Sequence, residues 1–256
     1  MISEIFNEFA LWQINALVIT LGLVFSTIGI VVVDRFYTIF HLRENNHVGG
    51  FKFEFLEPFF LSFLLLPLTL SWVDYNDLNR NVGLEGSSLI FLKNIAAVFD
   101  EPVAVDLKDA IDRYATAVTV DEWRTMEQGK ESKKAADALQ VLVLRYGQVQ
   151  PRTAHQREML KTSASVLGHV VKYRGYRLAA AIHPNGLLVS GGLVISVILT
   201  IALGWVFALP TLLTKVALQA LLVVAMMCCV FFVLTLSFPF KGDLYIPPHP
   251  FLRVLN

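Results

Sequence analysis

The chain has 256 residues, 55% hydrophobic and 16% charged, with 21 Lys+Arg against 21 Asp+Glu. Soluble domains run about 45–50% apolar and about 25% charged, nucleic-acid binders carry a basic face, and disordered chains are charged and apolar-poor, so none of these classes fits. Two adjacent cysteines, Cys228 and Cys229, lie inside an apolar run and make neither a disulfide framework nor a zinc site. An integral membrane protein remains, with lipid as its surroundings and no nucleic-acid partner.

Four apolar stretches are predicted to cross the bilayer as helices, at about residues 11–33, 55–73, 187–209 and 216–238. The first holds no charged residue. Its leading segment carries Glu4 and Glu8 and no basic residue, which reads as a retained helix and not as a signal peptide. The second is aromatic, with Phe55, Phe59, Phe60, Phe63 and Trp72, and it carries Glu57, Pro58 and Pro67. Only Leu209 to Lys215 separates the last two, so they should form a tight antiparallel hairpin.

Residues 74–184 differ: they hold 15 Lys+Arg and 14 Asp+Glu, most of the charge of the chain. The expected fold class is therefore an all-α membrane protein, with four transmembrane helices and a helical cytosolic domain inserted between the second and third. The expected divisions are a first helix pair at 1–73, the inserted domain at 74–184, a second pair at 185–238 and an extended tail at 239–256.

Within the inserted domain, a helix should continue out of the second span through about residue 99, weakened locally by Gly83 and Gly86. Asp100-Glu101-Pro102 marks a stop and restart, and the next helix should run to about Gln128 with Gly129 as its C-terminal glycine. A third helix is predicted over about 132–146 and a fourth over about 153–182, ended by Pro184 and leading into the third span.

Basic residues near the spans set orientation. Arg80, Lys93, Lys172, Arg174, Arg177, Lys241 and Arg253 lie on the side of the inserted domain, against Arg35, Arg43, Lys52 and Lys215 on the other. This count places the domain and both termini in the cytoplasm.

No catalytic motif is present: no glycine-rich phosphate loop, no His-Glu-x-x-His and no serine elbow. The six histidines are scattered, so no enzyme, cofactor or metal site is expected. Asp106, Asp109 and Asp112 sit three apart on one helix, readable as a hard-cation site or as a solvated face. Lys172, Arg174 and Arg177 precede the third span, where they either draw anions to a pore entrance or anchor a helix at headgroups. Phe59, Phe63, Leu66 and Leu70 share one face of the second span. That face suits an apolar constriction around an axis, or simple packing and lipid contact. Glu57 sits where a pore entrance or an interface would be. No span carries a charge near its centre, which disfavours a proton pump.

Specific strings stand on this layout. The inserted domain contains Leu84-Glu85-Gly86-Ser87-Ser88-Leu89, Tyr114 and Asp121-Glu122-Trp123-Arg124-Thr125-Met126-Glu127-Gln128-Gly129. The helix leading to the third span contains Lys172-Tyr173-Arg174-Gly175-Tyr176-Arg177-Leu178, and the tail begins Phe238-Pro239-Phe240-Lys241-Gly242-Asp243-Leu244. In this order they resemble the bestrophin-like family of bacterial membrane proteins. The resemblance implies a bacterial inner (plasma) membrane, four membrane helices, a cytosolic helical domain, and a homopentamer whose second helices surround an axial pathway for small anions. Animal bestrophins carry an acidic calcium clasp after the last span; here that region holds one acid, Asp243, so no calcium gating of that kind is expected. Trp123 and Met126 are expected to pack between helices, and Glu122 to pair with a Lys or Arg of the helix leading to the third span. Pro247, Pro248 and Pro250 are expected to hold the tail extended.

The favoured reading is a homo-oligomeric, anion-permeable channel. The alternative is a non-conducting accessory or scaffold subunit of a larger membrane complex. A stator-like cation-driven module fits least, for want of a partner carboxylate in the spans.

Overall fold

The computed structural model describes residues 11–36, 39–182, 186–205, 211–242 and 244–256, and the side chains of 11, 39–61, 63 and 186–190 lie outside this description. The order is α1 (Leu11–Phe36), α2 (Ile39–Ala96), α3 (Val103–Ala117), a π-helical turn (Val118–Glu122), α4 (Trp123–Glu127), α5 (Lys133–Gln148), α6 (Ala154–Ile182), α7 (Gly186–Trp205), α8 (Leu212–Leu236) and α9 (His249–Leu255). No strand occurs among the described residues. The expected all-helical class is what the chain adopts.

Two compact units result: Met1–Asp74 with Asn185–Leu244, and Tyr75–Pro184 with Tyr245–Asn256. In the first, α1 packs on α7 and α8, and α7 on α8. Leu64, Leu193, Val197, Ile201, Val223, Met226, Val230 and Val233 form its core. Small residues set how closely the helices approach, as in lipid-embedded bundles. Gly22 lies against Met227, Gly29 against the Trp205 ring and Gly204 against Gln219. Several polar groups here are returned to backbone, as an apolar medium favours. Thr20 Oγ1 donates to Ala16 O at 2.7 Å, Thr27 Oγ1 to Leu23 O at 2.8 Å, and Gln219 Nε2 to Ile201 O at 3.0 Å. Lys215 Nζ meets Asp34 Oδ1 at 2.7 Å, pinning the end of α1 to the start of α8. Leu17, Leu21, Val24, Ile28 and Val31 form an uncovered apolar stripe along α1.

Among the described residues, two helices are long and apolar enough to cross a membrane by length and composition, Trp12–Phe36 and Leu212–Leu236. The apolar stretch Gly191–Trp205 is shorter. The stretch expected as the second span lies inside the 58-residue α2, which runs past Pro58 and Pro67 without a break and, as expected, continues beyond that stretch, to Ala96. The hairpin turn expected around Leu209, the stop at Pro184 and the lone tail acid Asp243 lie outside the described residues.

The second unit is built from the later part of α2 with α3, the π turn, α4, α5, α6 and α9. Leu89, Leu92, Leu107, Ile111, Leu142 and Val170 are among its most buried residues. Ser132 caps α5, accepting from Ala135 N at 3.4 Å. Gly129 takes φ +70°, and Lys130 N reaches back to Thr125 O at 3.0 Å, the left-handed ending that glycine permits.

The helix expected to run to about Gln128 does continue without interruption from Val103 to Glu127, but Val118–Glu122 within it is wound as a π turn. Its wider winding retards the helical register, so Glu122, Trp123 and Met126 join Tyr114 and Val118 on the buried side. Thr119 Oγ1 donates to Ala115 O just before the turn, and Thr125 Oγ1 to the carbonyl of its last residue, Glu122. The tail is not extended throughout: His249–Leu255 is helical, because Pro250 sits in the first turn, where a missing N–H costs nothing.

Candidate functional site

Two features of the structure bear on function: the uncovered face of α2 in the first unit, and a buried ionic cluster in the second.

Along α2, Leu64 and Pro67 are buried against the first unit. Leu66, Leu70 and Val73 point the other way and are 61%, 46% and 47% exposed. Trp72 turns back to stack on Phe232, with ring centroids 6.5 Å apart. The helix thus has a packed side and an uncovered apolar side. Phe59, Phe63 and Glu57 lie on the same continuous helix. Their side chains, and with them that part of the expected constriction and entrance, lie outside the described residues.

The cations Lys172, Arg174 and Arg177 of α6 separate into two groups. Lys172 is exposed, its Nζ 5.6 Å above the Tyr176 ring. Arg174 and Arg177 are buried within the second unit and face carboxylates. Arg177, with 0% exposure, donates from Nε to Glu85 Oε2 at 2.9 Å and from Nη2 to Glu85 Oε1 at 3.0 Å. The same Nη2 reaches Glu122 Oε2 at 2.8 Å. Arg174 holds Glu122 through Nε and Nη2 and extends to Glu131 Oε1 at 3.0 Å. Tyr114 Oη donates to Glu85 Oε1 at 2.7 Å. The expected pairing of Glu122 with a basic residue of the helix leading to the third span is therefore present, twice over.

Aromatic faces close the cluster. The Arg177 guanidinium lies 4.9 Å from the Trp123 ring and 5.4 Å from Phe251, and these two rings meet edge-on at 5.5 Å. Trp123 Nε1 donates to Ile246 O at 2.9 Å, tying the tail to the same point. Lys93 Nζ adds a bond to Val254 O at 2.7 Å.

Two carboxylates and two guanidiniums balance in charge, which is how buried ions are tolerated. Burial pulls the Arg177 pKa down, but the charge and hydrogen bonds of Glu85 outweigh it and leave the group above its ordinary value. Burial likewise opposes Arg174, and its bonds to Glu122 reverse the sign. Burial pushes the Tyr114 phenol well above its usual range, and the charge of Glu85 adds to this. All of these groups hold their protons at neutral pH, so the cluster is a fixed joint with no proton to give.

The three aspartates at 106, 109 and 112 do not converge. Each has its own cation: Arg145 at 3.0 Å, Arg113 at 2.7 Å and Lys93 at 2.8 Å. No group of three or more possible metal ligands is found among the described residues. His169 and Tyr173 pack with centroids 6.2 Å apart.

Sequence reasoning placed Glu122 and Arg177 but not Glu85 or Tyr114 as their partners, because those pairings cross long separations in the chain. The β-branched run Val118-Thr119-Val120 was the local sign of an irregular helix at this point. A family model described as a bestrophin-like domain matches residues 21–251. No curated protein and no solved structure matches the chain.

Proposed function

The chain belongs to the bestrophin-like family, and from that premise we propose that it is a homo-oligomeric membrane channel permeable to anions. Four spans cross the bilayer: α1, the apolar part of α2, α7 and α8. Copies gather, as a pentamer on the family pattern, so that α2 lines a shared axis. Phe59, Phe63, Leu66 and Leu70 then make an apolar constriction that gates by dewetting. Glu57 and Lys172 stand at the ends of the pathway. Arg174 and Arg177, whose charges are neutralised inside the second unit, serve as structural ties and not as attractors of ions. The second unit and both termini lie on the cytoplasmic side of the inner membrane. The chain performs no chemistry of its own.

The observation that carries this reading is the two-sidedness of α2. Leu66, Leu70 and Val73 are uncovered while Leu64 and Pro67, on the opposite side, are packed. A lipid-facing helix accounts for apolar exposure, but the family membership supports an assembly in which this side faces other copies. The lack of charge at the centre of the spans suits passive conduction.

Purified protein in planar bilayers tests the proposal. The expected result is a current whose reversal potential follows the anion gradient, altered by Phe63→Ala and Leu66→Ala. Bilayers that stay silent across several salts, with a stoichiometric membrane partner recovered from cells, overturn it in favour of an accessory subunit.

A further inference from the structure

In the second unit, a cavity of about 420 Å³ opens where the α2–α3 turn meets the α5–α6 turn. Its volume lies within the range of small-molecule sites, roughly 300–1,000 Å³. Phe99 and Leu107, both buried, supply apolar lining. Charged groups of both signs surround it: Asp100, Glu101 and Asp106 with Arg145 and Arg152.

These charges are only partly engaged with one another. Among the described residues, Arg145 meets Asp106 Oδ2 through Nη1 alone at 3.0 Å, and Arg152 meets Asp100 Oδ2 through Nη1 alone at 3.4 Å. A guanidinium has five donors and takes a carboxylate best through two of them, so both forks retain donors for another acceptor. Both pairs are solvent-exposed and exchangeable. Glu101 is exposed and has no hydrogen bond or ion pair among the described residues. A site with an apolar lining, open guanidinium donors and an unpaired carboxylate fits a molecule bearing one positive and one negative charge beside an apolar group.

We propose that this cavity binds a small zwitterion of the amino-acid class with an apolar side chain. The ligand's carboxylate takes Arg145 and Arg152, its ammonium takes Glu101 and Asp100, and its side chain rests on Phe99 and Leu107.

Calorimetric titration of the detergent-solubilised full chain with L-phenylalanine tests this. Phenylpropionate and phenethylamine, which each lack one of the two charges, serve as comparisons. Saturable heat is expected with L-phenylalanine, and affinity at least about tenfold weaker with either analogue. Arg145→Gln and Glu101→Gln should each weaken L-phenylalanine binding, while Arg157→Gln, an exposed cation of α6 outside the cavity, should not. All three positions are exposed, and unchanged circular dichroism verifies that the variants fold. No saturable heat, equal affinity for either singly charged analogue, or unchanged affinity in Arg145→Gln overturns the proposal. Binding is read as heat, so the outcome is independent of whether the protein conducts.

Discussion

Arg177 and Glu85 lie 92 residues apart in the chain, yet two parallel hydrogen bonds of 2.9 and 3.0 Å join them with both side chains fully buried. One belongs to α6 and the other to α2, so this pair ties together two long helices of the second unit. Glu122, placed by the π turn, and Phe251 of the tail complete the joint around the same guanidinium.

Removing one partner from this joint should be costly. Arg177→Leu leaves Glu85 without its cation in a dry site, and a loss of about 3–5 kcal/mol is expected. Glu85→Leu/Arg177→Leu removes the charge together with its partner and should recover part of that loss, since Glu122 keeps Arg174. Denaturant unfolding of the detergent-solubilised variants measures both. A double variant no more stable than Arg177→Leu contradicts this account of the pair.

The Tyr114 phenol gives the fold an alkaline limit. Its pKa is raised in the folded protein, by burial first and the charge of Glu85 second, above the ordinary value of 10.0. The folded state then holds this proton more tightly than the unfolded state. The stabilisation is complete below pH 10 and is lost as pH rises from there through the folded value. Tyr114→Phe should be less stable at neutral pH by about 1–3 kcal/mol and should show a shallower fall in melting temperature above pH 10. Parallel alkaline slopes for the two proteins would exclude Tyr114 as the group responsible.

Gly86 permits the tail helix to dock. A Cβ at this position would stand 2.6 Å from Pro250 Cβ and 2.9 Å from the backbone carbon and oxygen of the same residue. Backbone cannot yield as a flexible side-chain end does, so Gly86→Ala should displace α9 at a cost of about 1–3 kcal/mol. Faster proteolysis within 245–256 is the expected sign. Gly83→Ala, one turn away with open space around it, should leave cleavage unchanged.

The two sides of α2 should respond differently to a hydroxyl. Leu66→Ser or Leu70→Ser adds a polar group to the uncovered side and should raise basal current, because wetting an apolar constriction lowers its barrier. Leu64→Ser removes a buried apolar side chain from the core of the first unit and should lower thermal stability instead. Bilayer recordings paired with thermal melts separate the two outcomes. Equal effects of Leu66→Ser and Leu64→Ser on stability would mean that both sides of α2 are packed.

The surface aspartates provide a contrast. Asp109→Asn breaks a half-exposed pair with Arg113 and should change stability by less than about 0.5 kcal/mol, since solvent screens it. A calcium or magnesium titration should leave the melting temperature of the wild-type chain unshifted. A rise in that temperature would revive the row of aspartates as a cation site.

Much of this protein was legible from local pattern. Composition and the length of the apolar runs determined a helical membrane protein, because a lipid medium leaves the backbone few other choices. Helix ends at Ser132 and Gly129 followed from side chains and conformations that act within a turn, and the ordered strings around Glu122, Arg177 and Pro239 pointed to the family. What remained hidden was decided by chain segments that meet only on folding. The burial of Arg174 and Arg177, which the sequence offered as a pore entrance or a headgroup anchor, depends on carboxylates from α2 and the π turn. The uncovered side of α2 depends on which face α7 and α8 happen to cover, and the helical tail on a socket that Gly86 leaves open. Local physical chemistry reaches about one helical turn. Charge neutralisation and packing act across the whole chain, and these placed the residues that any account of function must use.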